Sequence, residues 1–269
     1  MDRAKVRIRF RKSGDLRLVS HLDLMRCFER MLRRAGIPFR STEGFHPQPR
    51  MVFALSLPLG IVGLREVVEV ELTEPVEPEL IEAKLVATAP PGIEILSVHS
   101  IPGNRTGQVR QVRYRLPLAA TRVPIGLADR ITELLSRAQI WVQRVRPQRK
   151  LFNIRPFVHS VWLESNAVGM DLWVTGSGTA KAEELLAFLH LRDELSAGAV
   201  LERVDVEIFD EVDAPTQAAT PDPEMLRQLA SEGASSATAE IDLEREPLAP
   251  VSVSPDMEWG ASPNGPVVQ

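Results

Sequence analysis

Cysteine is almost missing from this chain: Cys27 is the only one in 269 residues. A single thiol excludes an intramolecular disulfide and any zinc or iron–sulfur site that needs several thiolates. Tyrosine also occurs once, and aromatic residues make up only 5% of the chain. No run of about 18 apolar residues occurs, which argues against a membrane-spanning helix. The first residues lead into alternating Val6, Ile8 and Phe10, not into an apolar leader with a cleavage site, so a cytoplasmic location is the expectation. Gly-rich phosphate loops, nucleophile elbows and zinc motifs are likewise missing.

Positive and negative charge are unevenly divided. Residues 209–269 hold twelve Asp/Glu against two Arg, so the net −4 of the whole chain splits into −10 there and +6 over residues 1–208. The basic part is the part with enough apolar residues to fold. From about residue 212 the composition turns to Ala, Pro, Ser and acid, which cannot bury enough surface to offset its ordering entropy. Residues 212–269 are therefore expected to form a disordered acidic tail, more a tether than a polyanion mimic, with one weak helix near residues 223–232.

Hydrophobic periodicity supplies the element order. Residues 5–12 alternate apolar and basic, the pattern of a half-buried strand whose outward face would be a row of arginines. Ser20-His21-Leu22-Asp23 has the form of a capping box. Leu22, Met25, Phe28, Met31, Leu32 and Ala35 follow at helical spacing, and Gly36 and Pro38 mark the stop. A short strand at 37–40, a strand at 65–72, a helix at 77–89 and a strand at 93–101 complete strand–helix–strand–strand–helix–strand, the ferredoxin-like arrangement. After a linker at 103–107 the order repeats. A strand at 111–118, a helix at 126–138, a strand at 140–145, a hairpin at 158–164 and 168–174, a helix from Thr179 to 189 and a strand at 201–209 are expected. The predicted class is α+β: two tandem ferredoxin-like subdomains, residues 1–102 and 103–211, then the tail.

Two sets of residues invite a chemical reading. Arginines cluster along residues 7–50 and again along 105–155, and their planar forks suit phosphate. Arg9, Arg11, Arg26, Arg30, Arg113, Arg115, Arg149, Lys150 and Arg155 are the expected RNA-phosphate contacts. For each arginine singly, a solvated face is the ordinary alternative. The second set is the loop Gly44-Phe45-His46-Pro47-Gln48-Pro49-Arg50 with His21, a candidate surface for substrate or partner. His21 and His46 could act as acid and base in RNA cleavage, but isolated histidine pairs are seldom catalytic. A metal held with Asp23 is disfavoured because Asp23 has a capping role and does not share a helix face with His21. Cys27, Met51, Phe53, Trp141, Phe152, Phe157 and Trp162 read first as core.

The stretch Gly14-Asp15-Leu16-Arg17, Ser20-His21-Leu22-Asp23-Leu24-Met25-Arg26, Arg33-Arg34-Ala35-Gly36, the loop at 44–50 and Phe53-Ala54-Leu55-Ser56-Leu57-Pro58-Leu59-Gly60 resembles the bacterial radical SAM-linked protein family. Asn153-Ile154-Arg155-Pro156 extends the likeness. Members occur fused to, or encoded beside, radical S-adenosylmethionine proteins, and their activity is not established. The family pattern places Asn before the first loop proline and His between the two, where this chain has His46 and Gln48. The resemblance implies a radical SAM partner. S-adenosylmethionine and an iron–sulfur cluster would belong to that partner, with no cofactor or metal held by this chain. The expectation is a cytoplasmic accessory protein, with no membrane contact, that presents structured RNA, transfer or ribosomal, to the partner enzyme. The alternatives are a metal-independent endoribonuclease using His21 and His46, and a protein-interaction subunit without RNA contact.

Overall fold

A computed structural model describes residues 4–119, 123–145, 149–176 and 178–234. The basic–apolar alternation forms β1 (Ala4–Lys12) as expected. Helix α1 (His21–Arg34) starts on the anticipated N-cap, the Asp23 amide donating to Ser20 Oγ at 3.2 Å, while the Asp23 carboxylate takes the Ser20 hydroxyl at 2.7 Å in place of the backbone N–H that a full capping box would use. Leu24, Phe28, Met31 and Leu32 form its buried stripe, each contributing roughly 1.5–3 kcal/mol by leaving water. The Phe28 ring meets Phe10 of β1 edge-on, centroids 4.7 Å apart. Short β2 (Met51–Phe53), long β3 (Val62–Glu71), α2 (Pro78–Thr88) and β4 (Ile93–Pro102) follow. Residues 37–40 give no strand, only a bridge from Phe39 to Leu72.

Beyond the linker come β5 (Val109–Pro117), α3 (Leu127–Ser136), β6 (Trp141–Arg144), β7 (Lys150–Asn153), β8 (Val158–Leu163) and β9 (Ala167–Thr175). β10 (Gly178–Thr179), α4 (Ala182–Phe188), α5 (Arg192–Ser196) and β11 (Glu202–Ile208) complete the second half. Thr179 does not cap α4, because its hydroxyl donates to Trp173 O and Lys181 takes the N-cap position. The strand expected at 140–145 is present as β6, but it pairs only with β7 in a separate two-stranded sheet.

One sheet carries the rest, in the order β10–β9–β5–β11–β3–β1–β4, with β2 also on β3 and β8 on β9. Its pairings are antiparallel except the parallel join of β11 to β3, at Glu202↔Val62 and Arg203↔Gly63. The fold is therefore mixed α+β, built on a large, mostly antiparallel sheet that runs across the boundary near residue 102. α1 and α2 cover β1, β3 and β4, while α3 and α4 cover β5, β9 and β11.

The acidic segment begins later than its composition suggests. After β11, α6 (Ala214–Ala218) and α7 (Pro223–Ser231) are capped by Asp213 and Asp222, whose carboxylates accept from Thr216 N and Glu224 N. Leu226 and Ala230 are buried in the second core, and Asn153 Nδ2 donates to Leu229 O at 3.1 Å. Two apolar residues one turn apart suffice to dock α7, so the predicted disordered boundary at 212 is wrong for residues 212–232. The predicted tail at 235–269 lies outside the described residues. Among the described residues, no helix is long and apolar enough to cross a membrane.

Candidate nucleic-acid interface

The row of cations on β1 does not face solvent. Val6, Ile8 and Phe10 point into the core, and Lys5, Arg7 and Arg9 point to the other side of the sheet. That side is covered by the linker and by the segment after β11. Lys5 Nζ donates to Arg105 O at 2.8 Å, and Phe209 N donates to Gln108 O at 2.8 Å. Gly107 lies so close beneath that a Cβ there would sit 2.8 Å from Arg7 Nη2 and from Glu69 Oε1, so only glycine passes without displacing the pair.

Carboxylates from distant parts of the chain meet these cations. Glu69 on β3 takes Lys5 at 2.6 Å and Arg7 at 2.9 Å. Arg7 also reaches Asp210 at 3.0 Å and Glu211 at 2.8 Å. Arg9 pairs with Glu211 and donates to Val206 O at 2.9 Å. Burial alone would push Arg7 down, but hydrogen bonds to Asp210, Glu211 and Glu69 outweigh it and hold the guanidinium above its ordinary value. At the join of β3 and β11, wholly buried Arg203 pairs with Glu66 through two nitrogens and donates to Ser56 O and Leu55 O, 3.1 Å each. Lys12 is also fully buried, its Nζ donating to Val19 O at 3.1 Å, and burial pushes it below the usual lysine range.

Several arginines of the second half are occupied too. Arg113 on β5 forks onto Asp171 of the neighbouring β9 at 2.8 and 2.9 Å and lies over the Trp162 ring. Arg115 reaches Glu164 at 3.0 Å and Glu202 of β11 at 3.4 Å. Arg144 forks onto Glu184, 2.7 Å to each oxygen. Arg155 donates to Val158 O at 3.0 Å and Leu135 O at 2.8 Å. Cations on β1 and β5 thus meet carboxylates on the neighbouring strands β3, β9 and β11, and cross-strand pairing offsets their charge. Of the expected phosphate contacts, Arg9, Arg113, Arg115 and Arg155 have internal partners, and Arg9 is buried as well. Arg149 and Lys150 are exposed beside the short hairpin of β6 and β7, with Lys150 Nζ 5.4 Å from the Phe152 ring centre.

A second free positive surface among the described residues is on α1. Arg26 and Arg33 are exposed and tied to Asp23 at 3.0 Å and Glu29 at 2.9 Å, within their own helix. Arg30 and Arg34 are exposed and have no ion pair among the described residues. Arg11, near the end of β1, pairs with exposed Glu94 at 2.6 Å.

The loop at 41–50 forms an arm next to this helix. Its strands meet through Thr42 N to Gln48 O at 2.8 Å and the bridge Ser41↔Pro49. Its base is fastened by Arg50 N to Arg40 O at 2.7 Å and by Arg33 of α1, which lies 5.3 Å over the Phe39 ring. Gly44 takes φ +129°, which turns the tip and leaves Phe45 fully exposed, at 101%. His46 and Pro47 are exposed as well, while Pro49 is buried at the base.

His21 and His46 do not form a pair. The His21 ring packs edge-on against Phe53, 5.1 Å between centres, and its Nδ1 is buried without a hydrogen bond. His46 stands on the arm, and no contact links the two among the described residues. Cys27 is half-buried, and burial raises its thiol, the condition of an unreactive sulfur. No group of three His, Cys, Asp or Glu suited to a metal ion occurs among the described residues. Missed in the sequence were Glu66, Glu69, Asp210 and Glu211 as partners. The usable signal was the Glu-rich alternation of β3, which reads as the complement of β1.

Residues 5–184 match the model of a family described as "Uncharacterized protein conserved in bacteria (DUF2344)". No curated protein matches the chain. A crystal structure of an unknown protein from Galdieria sulphuraria aligns over 77% of this chain and 99% of its own, at 12% identity and a TM-score of 0.26. A superposition that poor supports no argument about fold or function.

Proposed function

We propose that this chain, which belongs to the family of uncharacterized bacterial proteins DUF2344, is a non-catalytic binder of structured RNA whose contact surface is α1 and its arm. The observation that carries the reading is the pairing of opposites at one place. Arg30 and Arg34 have no carboxylate partner among the described residues, and Phe45 is fully exposed on an arm fastened to the same helix. Unpaired guanidinium groups attract phosphate, and an exposed ring offers a face to an unstacked base, the combination that RNA loops accept. Arg26, Arg33, His46 and Arg50 would widen this surface.

Each half also has the strand order of a ferredoxin-like unit, β4–β1–β3–β2 in the first and β11–β5–β9–β8 in the second, and we read the chain as a duplication of that unit. Presentation of the RNA to a radical SAM enzyme extends the proposal. A chain with one cysteine needs a partner to supply cluster chemistry.

The test is a salt titration of binding to transfer RNA and to a ribosomal RNA fragment, for the wild type and for R30A/R34A. Binding should weaken steeply with salt, and the double variant should flatten the log–log slope by about 2. A slope that is unchanged in R30A/R34A would move the contact off α1, and salt-insensitive binding would end the RNA reading.

A further inference from the structure

A cleft of ≈ 650 Å³ opens where β5 begins and β9 ends, away from α1 and the arm. Pockets for small organic ligands span roughly 300–1,000 Å³. Apolar side chains, Leu55, Val109, Val174 and Leu226 among them, supply most of its wall. The stretch from the end of β11 to the first turn of α7 closes one side, so the docking of α7 creates the cleft.

Two charged residues line it, Asp222 and Arg110, and Arg110 is the one held in place. Arg110 is buried, with its guanidinium 4.7 Å over the Trp173 ring. Its Nε donates to Thr220 Oγ1 and its Nη1 to Glu207. Its Nη2 has no hydrogen-bond partner among the described residues. A guanidinium fixed by two partners and stacked on an indole presents one donor edge at a set angle inside an apolar slot. Glu207 already balances its charge, so a phosphate or carboxylate has little to gain there. A flat, neutral ring with a carbonyl or ring-nitrogen acceptor gains both the walls and the hydrogen bond.

We propose that this cleft binds a nucleobase or a closely similar planar heterocycle, packed between the apolar walls with an acceptor on Arg110 Nη2. The base could belong to a free nucleoside or be an unstacked base of an RNA. The chemistry is the same for both, and the site does not depend on α1 carrying the RNA contact.

The experiment is calorimetric and ligand-observed NMR titration of the full chain with adenosine, guanosine, cytidine and uridine. G176W narrows the cleft from an exposed position where a Cβ meets nothing within 4 Å, and R110M keeps the stem over Trp173 while deleting the donor. One nucleoside should bind at one site, and R110M should weaken it by roughly tenfold or more, the worth of a charge-assisted hydrogen bond. G176W should abolish binding while melting with the wild type. Displacement of the bound nucleoside by a single-stranded oligonucleotide assigns the site to a base within RNA, and coexistence of the two assigns it to a free nucleoside. The proposal fails if no nucleoside binds more tightly than about 1 mM, or if both variants bind as the wild type does. Neither failure touches the salt-dependent contact assigned to α1.

Discussion

Arg7 and Arg9 on β1 and Arg30 and Arg34 on α1 are the same side chain in two situations. The strand arginines are buried under the linker and hold Glu69, Asp210 and Glu211. The helix arginines stand in water with no ion pair among the described residues. Taking the first pair out of water is expensive and is balanced only because every cation meets a carboxylate with good geometry. The second pair has no such cost and no such compensation, and its charge is available to something else. A count of basic residues cannot tell these cases apart. What separates them is whether a neighbouring strand or segment brings an acid to the same face.

The contrast can be broken most forcefully at Glu69. Glu69→Ala leaves buried Lys5 without its carboxylate and Arg7 with two of its three, and should cost about 3–5 kcal/mol of folding stability, measured by urea unfolding. An equal loss in R30A/R34A would erase the distinction between the two regions. Glu211→Gln tests the same layer more gently and should cost about 1–3 kcal/mol at neutral pH. Burial pushes the Glu211 carboxyl up, but hydrogen bonds from Arg7 and Arg9 outweigh it and hold it below the usual range. Its contribution is therefore complete above the ordinary glutamate value of about 4.3 and is lost as the pH falls through the depressed native value. The gap between E211Q and the wild type should close on acidification, and a gap that grows instead would contradict the pairing.

On the exposed side, Phe45→Ala should leave the melting temperature unchanged and weaken RNA binding by about 1 kcal/mol or more, the worth of one base–aromatic stack. A filter-binding assay at fixed salt reads this directly. The smallest effect is expected at Arg115, whose pair with Glu164 is open to water on both sides. Arg115→Ala should change stability by about 0.5 kcal/mol and RNA affinity not at all. A loss of RNA affinity there as large as in R30A/R34A would return the interface to the sheet.

Local pattern made most of the elements legible. The N-cap at Ser20, the helical stripe of α1, the order of strands and helices and the helix at Pro223 all rest on interactions within a few residues, and these the chain states openly. The tip of the arm was legible too, because Gly44 and two prolines permit few conformations. The fate of the arginines was not legible. Arg7 meets Asp210 some 203 positions away, and no spacing rule reports a contact of that kind. Alternation on β1 revealed two faces but not that the polar one would be covered. The cleft was hidden for the same reason, since Arg110, Trp173 and Leu226 come together only after α7 docks.

The parallel join of β3 and β11 bears on what holds the two halves together. It consists of two registered pairs, backed by the wholly buried Arg203–Glu66 bridge, and the halves meet there without using the peptide that connects them. The connecting peptide is exposed at Asn104. A chain cut at that position should therefore survive as two complementing fragments that co-purify, and the chain should tolerate circular permutation with new ends at the same place.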